Sequence, residues 1–183
     1  MKNVLIISGH PDLKGDSFAN KIILADLAEQ LPSAVIDDLS ALYPDYRIDV
    51  PAEQDKLRHA DIIVLQFPIF WYSMPALLAK WMEDVFVRGF SHGSTGKALA
   101  HKKLVLSFTT GAPESAYGEA FPAEMMTGRF SQTAGLTGMV YEGAVATYAV
   151  SYADRTDPAR AAAMTEASHA HAKRLVEKIT SLV

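Results

Sequence analysis

The sequence predicts an α/β sandwich built around a parallel β-sheet. Short continuous apolar runs, which are typical of strands buried on both faces, alternate along the chain with segments of helical periodicity. With 183 residues, of which 49% are hydrophobic and 21% charged, the chain has the size and composition of one globular domain. It shows no internal repeat, low-complexity segment or linker, so we expect a single domain over residues 1–183.

In the first half of the chain, apolar runs and one proline define the elements. Residues 4–7 form a continuous apolar run, whereas residues 17–31 carry apolar side chains on one side of a helix that Pro32 ends. The elements predicted here are a strand at 4–7, a helix at 17–31, a strand at 34–36, a short polar helix at 53–59 and a strand at 61–67.

In the second half, capping residues mark where helices begin. Ser73 suits the N-cap of a helix that has Pro75 in its first turn, and Asp157 followed by Pro158 opens a long C-terminal helix by the same rule. Strands are predicted at residues 104–108 and within residues 140–150.

The helix after Ser73 has a wide apolar face. Its apolar side chains form two adjacent stripes, which are Leu77, Trp81 and Val85, and Leu78, Met82 and Phe86. A face of this width needs two neighbours. It could pack on the sheet with one side and on another subunit with the other.

Composition excludes several classes of function. The chain has 17 basic and 21 acidic residues, a net charge of −4 and no basic run, which argues against a nucleic-acid groove. Because cysteine is absent, thiolate catalysis, disulfides and cysteine metal sites are excluded, and no metal site is expected. The first apolar run is too short for a signal peptide and no stretch reaches membrane-spanning length, so we expect a cytoplasmic protein.

Three loops follow strands at the edge where parallel sheets bind ligands. The first, residues 8–18, places His10 and the Ser17 hydroxyl near the start of a helix, which suits a phosphate. The second, residues 67–75, contains three consecutive aromatic residues at 70–72. These could hold a flat apolar ligand, or they could extend the core or a dimer contact, and both interpretations stay open.

The third loop, residues 109–117, offers hydroxyl groups and backbone amides, although a plain Gly/Pro turn has the same composition. A phosphate site on the first loop beside aromatic residues on the second suits a phosphorylated planar heterocycle. Flavin is the obvious candidate.

Four other polar residues are less informative. Asp37 and Asp38 could bind a ribose, but a strand-end turn explains them equally well. His169 and His171 lie two residues apart on the C-terminal helix and face different directions, which argues against a metal pair. His171 falls on the apolar stripe of that helix and is interpreted as a packed residue.

These features together resemble the NAD(P)H:quinone oxidoreductase family of flavodoxin-like flavoproteins, over almost the whole chain. The segments that carry the resemblance are residues 9–11, 17–20, 43–49, 66–75, 80–81, 89–90 and 109–111, and Tyr117. The bacterial short form is the most similar, including the ancillary reductases of glutathione-gated potassium efflux systems and the general-stress oxidoreductases. The resemblance implies a flavodoxin-like three-layer sandwich with a five-stranded parallel sheet of order 2-1-3-4-5.

The resemblance also implies roles for individual residues. Those expected to bind the cofactor are His10, Ser17, Phe18, Asn20, Pro68, Ile69, Phe70, Trp71, Thr109, Thr110, Gly111, Ala112 and Tyr117. Tyr117 is the expected catalytic residue, because it matches the family tyrosine near the flavin carbonyl, where it stabilises negative charge on the reduced ring. Trp71 and His92 are the expected substrate contacts. A homodimer with the active site at the subunit boundary is implied as well.

Two departures from the family qualify these roles. Larger relatives pair the tyrosine with a histidine six residues on, where this chain has Ala123, so that proton relay is not available. His92 and Ser94 stand where those relatives place tyrosines that reach the partner subunit, and a solvated loop histidine is the alternative interpretation of His92. The C-terminal extension of the larger relatives is missing, which favours FMN over FAD as the cofactor.

The expected activity is two-electron reduction of quinones, with NAD(P)H as co-substrate and ping-pong kinetics. Hydride transfer through a flavin needs no nucleophilic side chain and no metal, which agrees with the absence of cysteine. Two alternatives stay open. One is a flavoprotein regulatory subunit with a membrane potassium-efflux partner, and the other is an azo- or nitroreductase of the same fold.

Overall fold

Continuous apolar runs form the central strands of the structure, a computed structural model that describes residues 2–118 and 122–183. The strands are β1 (Val4–Ser8), β2 (Val35–Asp38), β3 (Ile62–Pro68), β4 (Lys103–Thr109) and β5 (Val140–Thr147). The helices are α1 (Ala19–Gln30), α2 (Leu39–Leu42), α3 (Val50–His59), α4 (Ala76–Val85), α5 (Ala123–Thr137) and α6 (Pro158–Ser181).

The five strands form one parallel sheet of order β2-β1-β3-β4-β5, which confirms the expected order. Ser8 at the end of β1 lies opposite Gln66 of β3, and Gln66 lies opposite Ser107 of β4. The chain leaves β1 for β2 on one side and returns to β3 on the other, so the strand order reverses between β1 and β3. The loops that follow these two strands therefore open onto the crevice where such sheets bind ligands.

Helices cover both faces of the sheet. On one face, α1 and α6 pack against each other and bury a core that includes Ile6, Val64 and Val105. On the other face, α3, α4 and α5 contribute Leu57, Trp81 and Phe130 to a second core. Because β1, β3 and β4 are buried on both sides, their sequences read as continuous apolar runs rather than alternating ones.

Ser73 is not the N-cap of α4, and this prediction is wrong. The helix begins at Ala76, with Pro75 before it. Ser73 instead closes a tight turn with Phe70, in which each residue donates its amide to the carbonyl of the other, at 2.9 and 3.0 Å. Helix α1 likewise begins two residues after Ser17, whose hydroxyl oxygen accepts from the Lys21 amide at 3.1 Å.

Helices α2 and α5 are not predicted by the sequence pattern. Helix α2 is a single turn, and its N-cap is Asp38, whose side chain accepts from the amides of Ser40 and Ala41. Helix α5 contains Gly128 and Gly135 in its interior, and glycine there lowers intrinsic helix propensity. The burial of apolar residues such as Phe130 against the sheet stabilises it instead.

One chain already covers most of the wide apolar face of α4. Leu77, Leu78, Trp81 and Val85 are buried, and Met82 and Phe86 are half-buried against the same core. The width of the face therefore does not by itself require another subunit. Trp81 is accommodated because its indole N–H donates to a buried carboxylate, Glu53 Oε2, at 2.8 Å.

Helix α6 begins where the sequence predicts. Asp157 is its N-cap, and the carboxylate accepts from the amides of Ala159 and Arg160 at 2.9 and 3.0 Å. Charged residues recur along this helix. Within residues 2–118 and 122–183, no helix has both the length and the apolarity to cross a membrane.

Candidate functional site

The carboxyl ends of β1, β3 and β4 and the first turn of α1 enclose a cavity of about 230 Å³, which we call the cradle cavity. Many of the predicted cofactor residues line it. The first loop and α1 provide His10, Phe18 and Asn20, and the loop after β3 provides Pro68, Ile69 and Phe70. The loop after β4 provides Thr109, Thr110 and Gly111. The three loops singled out by sequence position therefore meet at one cavity.

A chain of buried amide and hydroxyl groups joins the elements beneath the cradle cavity. Gln66 Nε2 donates to Asn20 Oδ1, and Asn20 Nδ2 donates to Thr109 Oγ1 at 3.1 Å. All three residues are buried. These bonds connect α1 to β3 and β4, so the first turn of α1 is held at a defined place above the sheet.

His10 faces the cradle cavity as a neutral imidazole. It is 4% exposed, and burial lowers its pKa from the ordinary value. The amide of Asp12 donates to His10 Nδ1 at 3.1 Å, so in the neutral ring the proton is on Nε2. The ring also makes an edge contact with Phe70, with centroids 6.2 Å apart. His10 is thus an oriented N–H donor beside the N-terminus of α1.

Backbone amides around the cradle cavity divide into those used by the fold and those left for a ligand. The amide of Ile69 donates to Thr109 O at 2.8 Å, and the amide of Phe70 donates within its turn. In the described part of the chain, the amides of Trp71, Gly111 and Ala112 donate to no acceptor. These three amides are the ones available to the polar edge of a planar ring.

The turn from Phe70 to Ser73 places two aromatic side chains in solvent under backbone strain. Its two central residues, Trp71 and Tyr72, both have positive φ, at 49° and 60°. Such two-residue turns favour asparagine or glycine, because a side chain in the left-handed region costs about 1–2 kcal/mol. Trp71 is nevertheless 94% exposed and Tyr72 60% exposed. Backbone strain that exposes aromatic surface is typical of a ligand-binding loop.

A second cavity of about 420 Å³, which we call the tyrosine cavity, is lined by Tyr72, Ala116, Tyr117 and Gly118. The rings of Tyr72 and Tyr117 meet edge to face, with centroids 6.5 Å apart. Tyr117 also contacts Tyr148, at 6.1 Å between centroids. The loops after β3 and β4 contribute to both cavities, so the tyrosine cavity lies on the same functional edge of the sheet.

Five residues on the cradle cavity wall were not among the predicted site residues. They are Asp16, Ala19, Val150, Tyr152 and Arg155. Three of them follow β5. Only the position of that loop could have identified them in the sequence, because it also leaves the carboxyl edge of the sheet. Arg155 carries the most information, since its Nε–H is buried and has no hydrogen-bond partner among residues 2–118 and 122–183.

Some predicted site residues lie elsewhere. Ser17 is buried next to the cavity wall. Ala112 does not line the cavity, and its carbonyl accepts from Thr110 Oγ1 at 2.8 Å. Trp71 lines neither cavity, and Tyr117 lines the tyrosine cavity rather than the cradle cavity.

His92 lies between α4 and β4, where its Nδ1 is 2.9 Å from Ser91 Oγ, and it lines neither cavity. The Ala123 side chain lies outside the part of the chain that the structure describes.

The remaining polar candidates are used by the fold. Asp38 caps α2, and Asp37 Oδ2 is 2.7 Å from Lys56 Nζ, so the structure favours the strand-end interpretation of this pair. His171 is packed as predicted, with no exposed surface, and burial lowers its pKa to about 3. Its Nε2 and Nδ1 lie 2.8 and 2.9 Å from the hydroxyls of Ser107 and Thr147. His169 pairs with Asp26 at 2.6 Å.

The donors around the cradle cavity fit the phosphate and polar ring edge of a flavin. The unpartnered Arg155 Nε–H, the His10 Nε2–H and the first turn of α1 are all donors that an anion satisfies. The free amides of Trp71 and Gly111 suit ring acceptors, with Phe70 as an aromatic wall. The described residues contain no cluster of three or more side chains that could ligate a metal ion.

Comparison with known proteins agrees with this fold. The family described as having a flavodoxin-like fold matches residues 2–171, so the chain belongs to the flavodoxin-like family.

One curated relative and two solved structures show which individual proteins the chain is similar to. The glutathione-regulated potassium-efflux system ancillary protein KefG of Enterobacter sp. (strain 638) is 48% identical over 114 residues, which cover 62% of this chain and 61% of that protein. The match thus spans less than two thirds of the relative's length. General stress protein 14 of Treponema denticola, solved in complex with FMN, is 26% identical with a TM-score of 0.84, covering 97% of this chain and 99% of that one. An NADPH-quinone reductase of P. pentosaceus is 27% identical with a TM-score of 0.74, covering 94% and 98%.

Proposed function

We propose that this protein is a flavin-dependent NAD(P)H oxidoreductase that reduces quinones. The observation that carries the proposal is the cradle cavity, where donors suited to a phosphate lie beside an aromatic wall and free backbone amides. Two similar structures support it, because one is a protein in complex with FMN and the other is an NADPH-quinone reductase.

In this proposal the chain binds FMN, with FAD as the alternative. His10, Ser17 and Phe18 contact the phosphate region at the start of α1, where the helix dipole favours an anion. Ser17 Oγ accepts from the Lys21 amide at 3.1 Å, which leaves its own O–H free to donate. Residues 68–71 and 109–112 border the ring from two sides, and Asn20 supports them through its bonds to Gln66 and Thr109.

When bound, the flavin supplies hydride transfer from NAD(P)H to an acceptor, so the protein needs to bind, orient and exclude water rather than form a covalent bond. Donor and acceptor occupy the same aromatic space in turn, which gives ping-pong kinetics. Tyr72 and Tyr117 form the walls of that space, and Trp71 is a further contact for a flat acceptor.

Tyr117 is the proposed catalytic residue. Its hydroxyl is a hydrogen-bond donor at a cavity rather than in the core, and its ring is held by contacts with Tyr72 and Tyr148. A fixed donor of this kind stabilises negative charge that develops on an oxygen of the reduced ring. No histidine six residues on is available to assist it, since that position is Ala123.

A homodimer and a cytoplasmic location belong to the proposal. An indole that is 94% exposed beside a candidate site is unusual for a surface, and a second copy of the chain that covers Trp71 would remove that apolar area from water. In such a dimer His92 would contact the substrate from the neighbouring subunit.

A second candidate function is supported by one observation. The 48% identity to a potassium-efflux ancillary protein favours a flavoprotein subunit that acts with a membrane efflux system. Co-purification with a membrane fraction distinguishes this role from that of a free-standing reductase. An azo- or nitroreductase differs only in the acceptor, and turnover of quinone, azo dye and nitroaromatic substrates side by side separates these activities.

The test of the proposed function uses the full chain. We expect the purified protein to be yellow, NAD(P)H to bleach the long-wavelength flavin band under anaerobic conditions, and a quinone to restore it. Release by denaturation followed by chromatography identifies the flavin. Protein that stays colourless and takes up neither FMN nor FAD would rule out the proposal.

A further inference from the structure

Among the described residues that line the cradle cavity, one carries a permanent positive charge. Arg155 belongs to a 3-10 turn, Ala153–Thr156, between β5 and α6, and its side chain reaches the cavity wall. Its Nη1 is 2.8 Å from Asp16 Oδ1, and its guanidinium carbon is 4.4 Å from the centroid of the Tyr152 ring. An ion pair and a cation–π contact therefore fix the position of the guanidinium group.

The third feature of Arg155 is a donor that the fold does not use. Its Nε–H is buried and finds no acceptor in the described ranges, 2–118 and 122–183. A guanidinium group is planar, so fixing Nη1 on Asp16 also fixes the direction of the Nε–H. A buried donor on a cavity wall is satisfied best by an acceptor in that cavity, and phosphate oxygens match arginine geometry.

The charges around the cavity make Arg155 the side chain on which the binding of an anion depends. Among the described residues that line it, Arg155 is the only lysine or arginine. His10 contributes a neutral N–H, because burial lowers its pKa. Asp16 brings a negative charge to the same wall, which Arg155 offsets. Without Arg155, a phosphate in the cavity would meet Asp16 with no cationic side chain among the described residues of the cavity wall.

We propose that Arg155, held by Asp16, binds the terminal phosphate of a flavin mononucleotide and makes this site selective for FMN over FAD. The Asp16–Arg155 bridge joins the loop after β1 to the turn after β5, and both residues line the cavity. In this proposal a mononucleotide would end at the bridge, whereas a dinucleotide would have to continue past it. The inference rests on the proposed function, because it requires that the cavity hold a flavin.

The experiment measures dissociation constants of FMN, FAD and riboflavin for the apoprotein by quenching of flavin fluorescence. Riboflavin lacks the phosphate and so reports on ring binding alone. We expect Arg155→Ala to weaken FMN binding by about ten- to hundredfold, the range for one charge-assisted hydrogen bond, and to leave riboflavin binding unchanged. Arg155→Lys should restore part of the loss, since it keeps the charge without the planar fork.

Two further variants complete the experiment. One tests the Asp16–Arg155 bridge separately from the charge of Arg155, and the other is a matched control. Asp16→Ala opens the bridge and keeps Arg155, so FMN should still bind and the affinity for FAD should rise. Arg160→Ala removes a nearby arginine that pairs with Asp154 in solvent at 2.5 Å and does not line the cradle cavity. It should leave all three dissociation constants unchanged.

Three results would overturn the inference. Equal losses of FMN and riboflavin affinity in Arg155→Ala would indicate a structural role, and unchanged FMN affinity would exclude a phosphate contact. Wild-type protein that binds FAD as tightly as FMN would exclude the selectivity. These results differ from failure of the proposed function, in which the wild-type protein binds none of the three flavins.

Discussion

Replacement of Gly9 by alanine tests how closely β1 must approach α4 at the site. A Cβ atom at Gly9 would lie 2.8 Å from both Cβ and Cδ2 of Leu78, far inside the normal contact distance. Leu78 is fully buried and cannot move into solvent. Gly9 cannot retreat either, because its amide donates to Gln66 O at 2.8 Å. We therefore expect Gly9→Ala to lower the free energy of unfolding by about 1–3 kcal/mol, the usual cost of overpacking.

Urea unfolding of the apoprotein measures this loss, with Gly111→Ala as the matched control. The nearest atom to a Cβ at Gly111 is 3.8 Å away, so that variant should keep its stability. The clash also predicts that the effects of substitutions at Gly9 and Leu78 on stability are not additive. Leu78→Ala alone should cost about 2–5 kcal/mol, and the double variant should cost less than the sum of the two single changes. Strict additivity, or a Gly9→Ala variant as stable as the wild type, would refute the steric argument.

Three other predictions concern the aromatic turn, the catalytic tyrosine and the buried histidine. Trp71→Gly should be more stable than Trp71→Ala by about 1 kcal/mol in thermal unfolding, because only glycine relieves the positive φ of 49°; equal stabilities would argue against strain. Tyr117→Phe should slow flavin reduction in stopped-flow experiments by roughly tenfold, or about 1.4 kcal/mol, and an unchanged rate would remove its assigned role. Burial lowers the pKa of His171 to about 3, so the unfolded chain takes up a proton that the folded chain does not. Stability contributed by neutral His171 should be complete above the unfolded pKa of about 6.5 and fall by up to about 1.4 kcal/mol per pH unit between there and about pH 3. The His171→Gln variant should lose this share of the pH dependence, and a slope identical to that of the wild type would contradict the assignment.

The apolar pattern of the sequence was sufficient to predict the parallel sheet. Strands β1, β3 and β4 are buried on both faces, so their composition identifies them without knowledge of their neighbours. Local capping chemistry was also sufficient where it acts alone, as at Asp157. It failed at Ser73, because a hydrogen-bonded turn with Phe70 uses that residue first. Helix α5 was missed because packing of residues such as Phe130, rather than local propensity, stabilises it.

The candidate site divides in the same way. Its three principal loops could be found from the sequence, since each follows a buried strand at the carboxyl edge, and the chain's own aromatic and hydroxyl residues indicated the type of ligand. The sequence could not show that Ile69 and Phe70 use their amides within the fold, which leaves the amides of Trp71 and Gly111 for a ligand.

The sequence by itself determined the parallel sheet, the absence of thiol chemistry and the loops that form the cradle cavity. These follow from local composition, because an apolar run or a missing residue type has the same meaning wherever the chain goes. Only the tertiary structure decided that Arg155 meets Asp16, a residue 139 positions away, and that its Nε–H is left unpaired on the cavity wall. Contacts between residues so far apart depend on the order of the strands, and no local pattern encodes them.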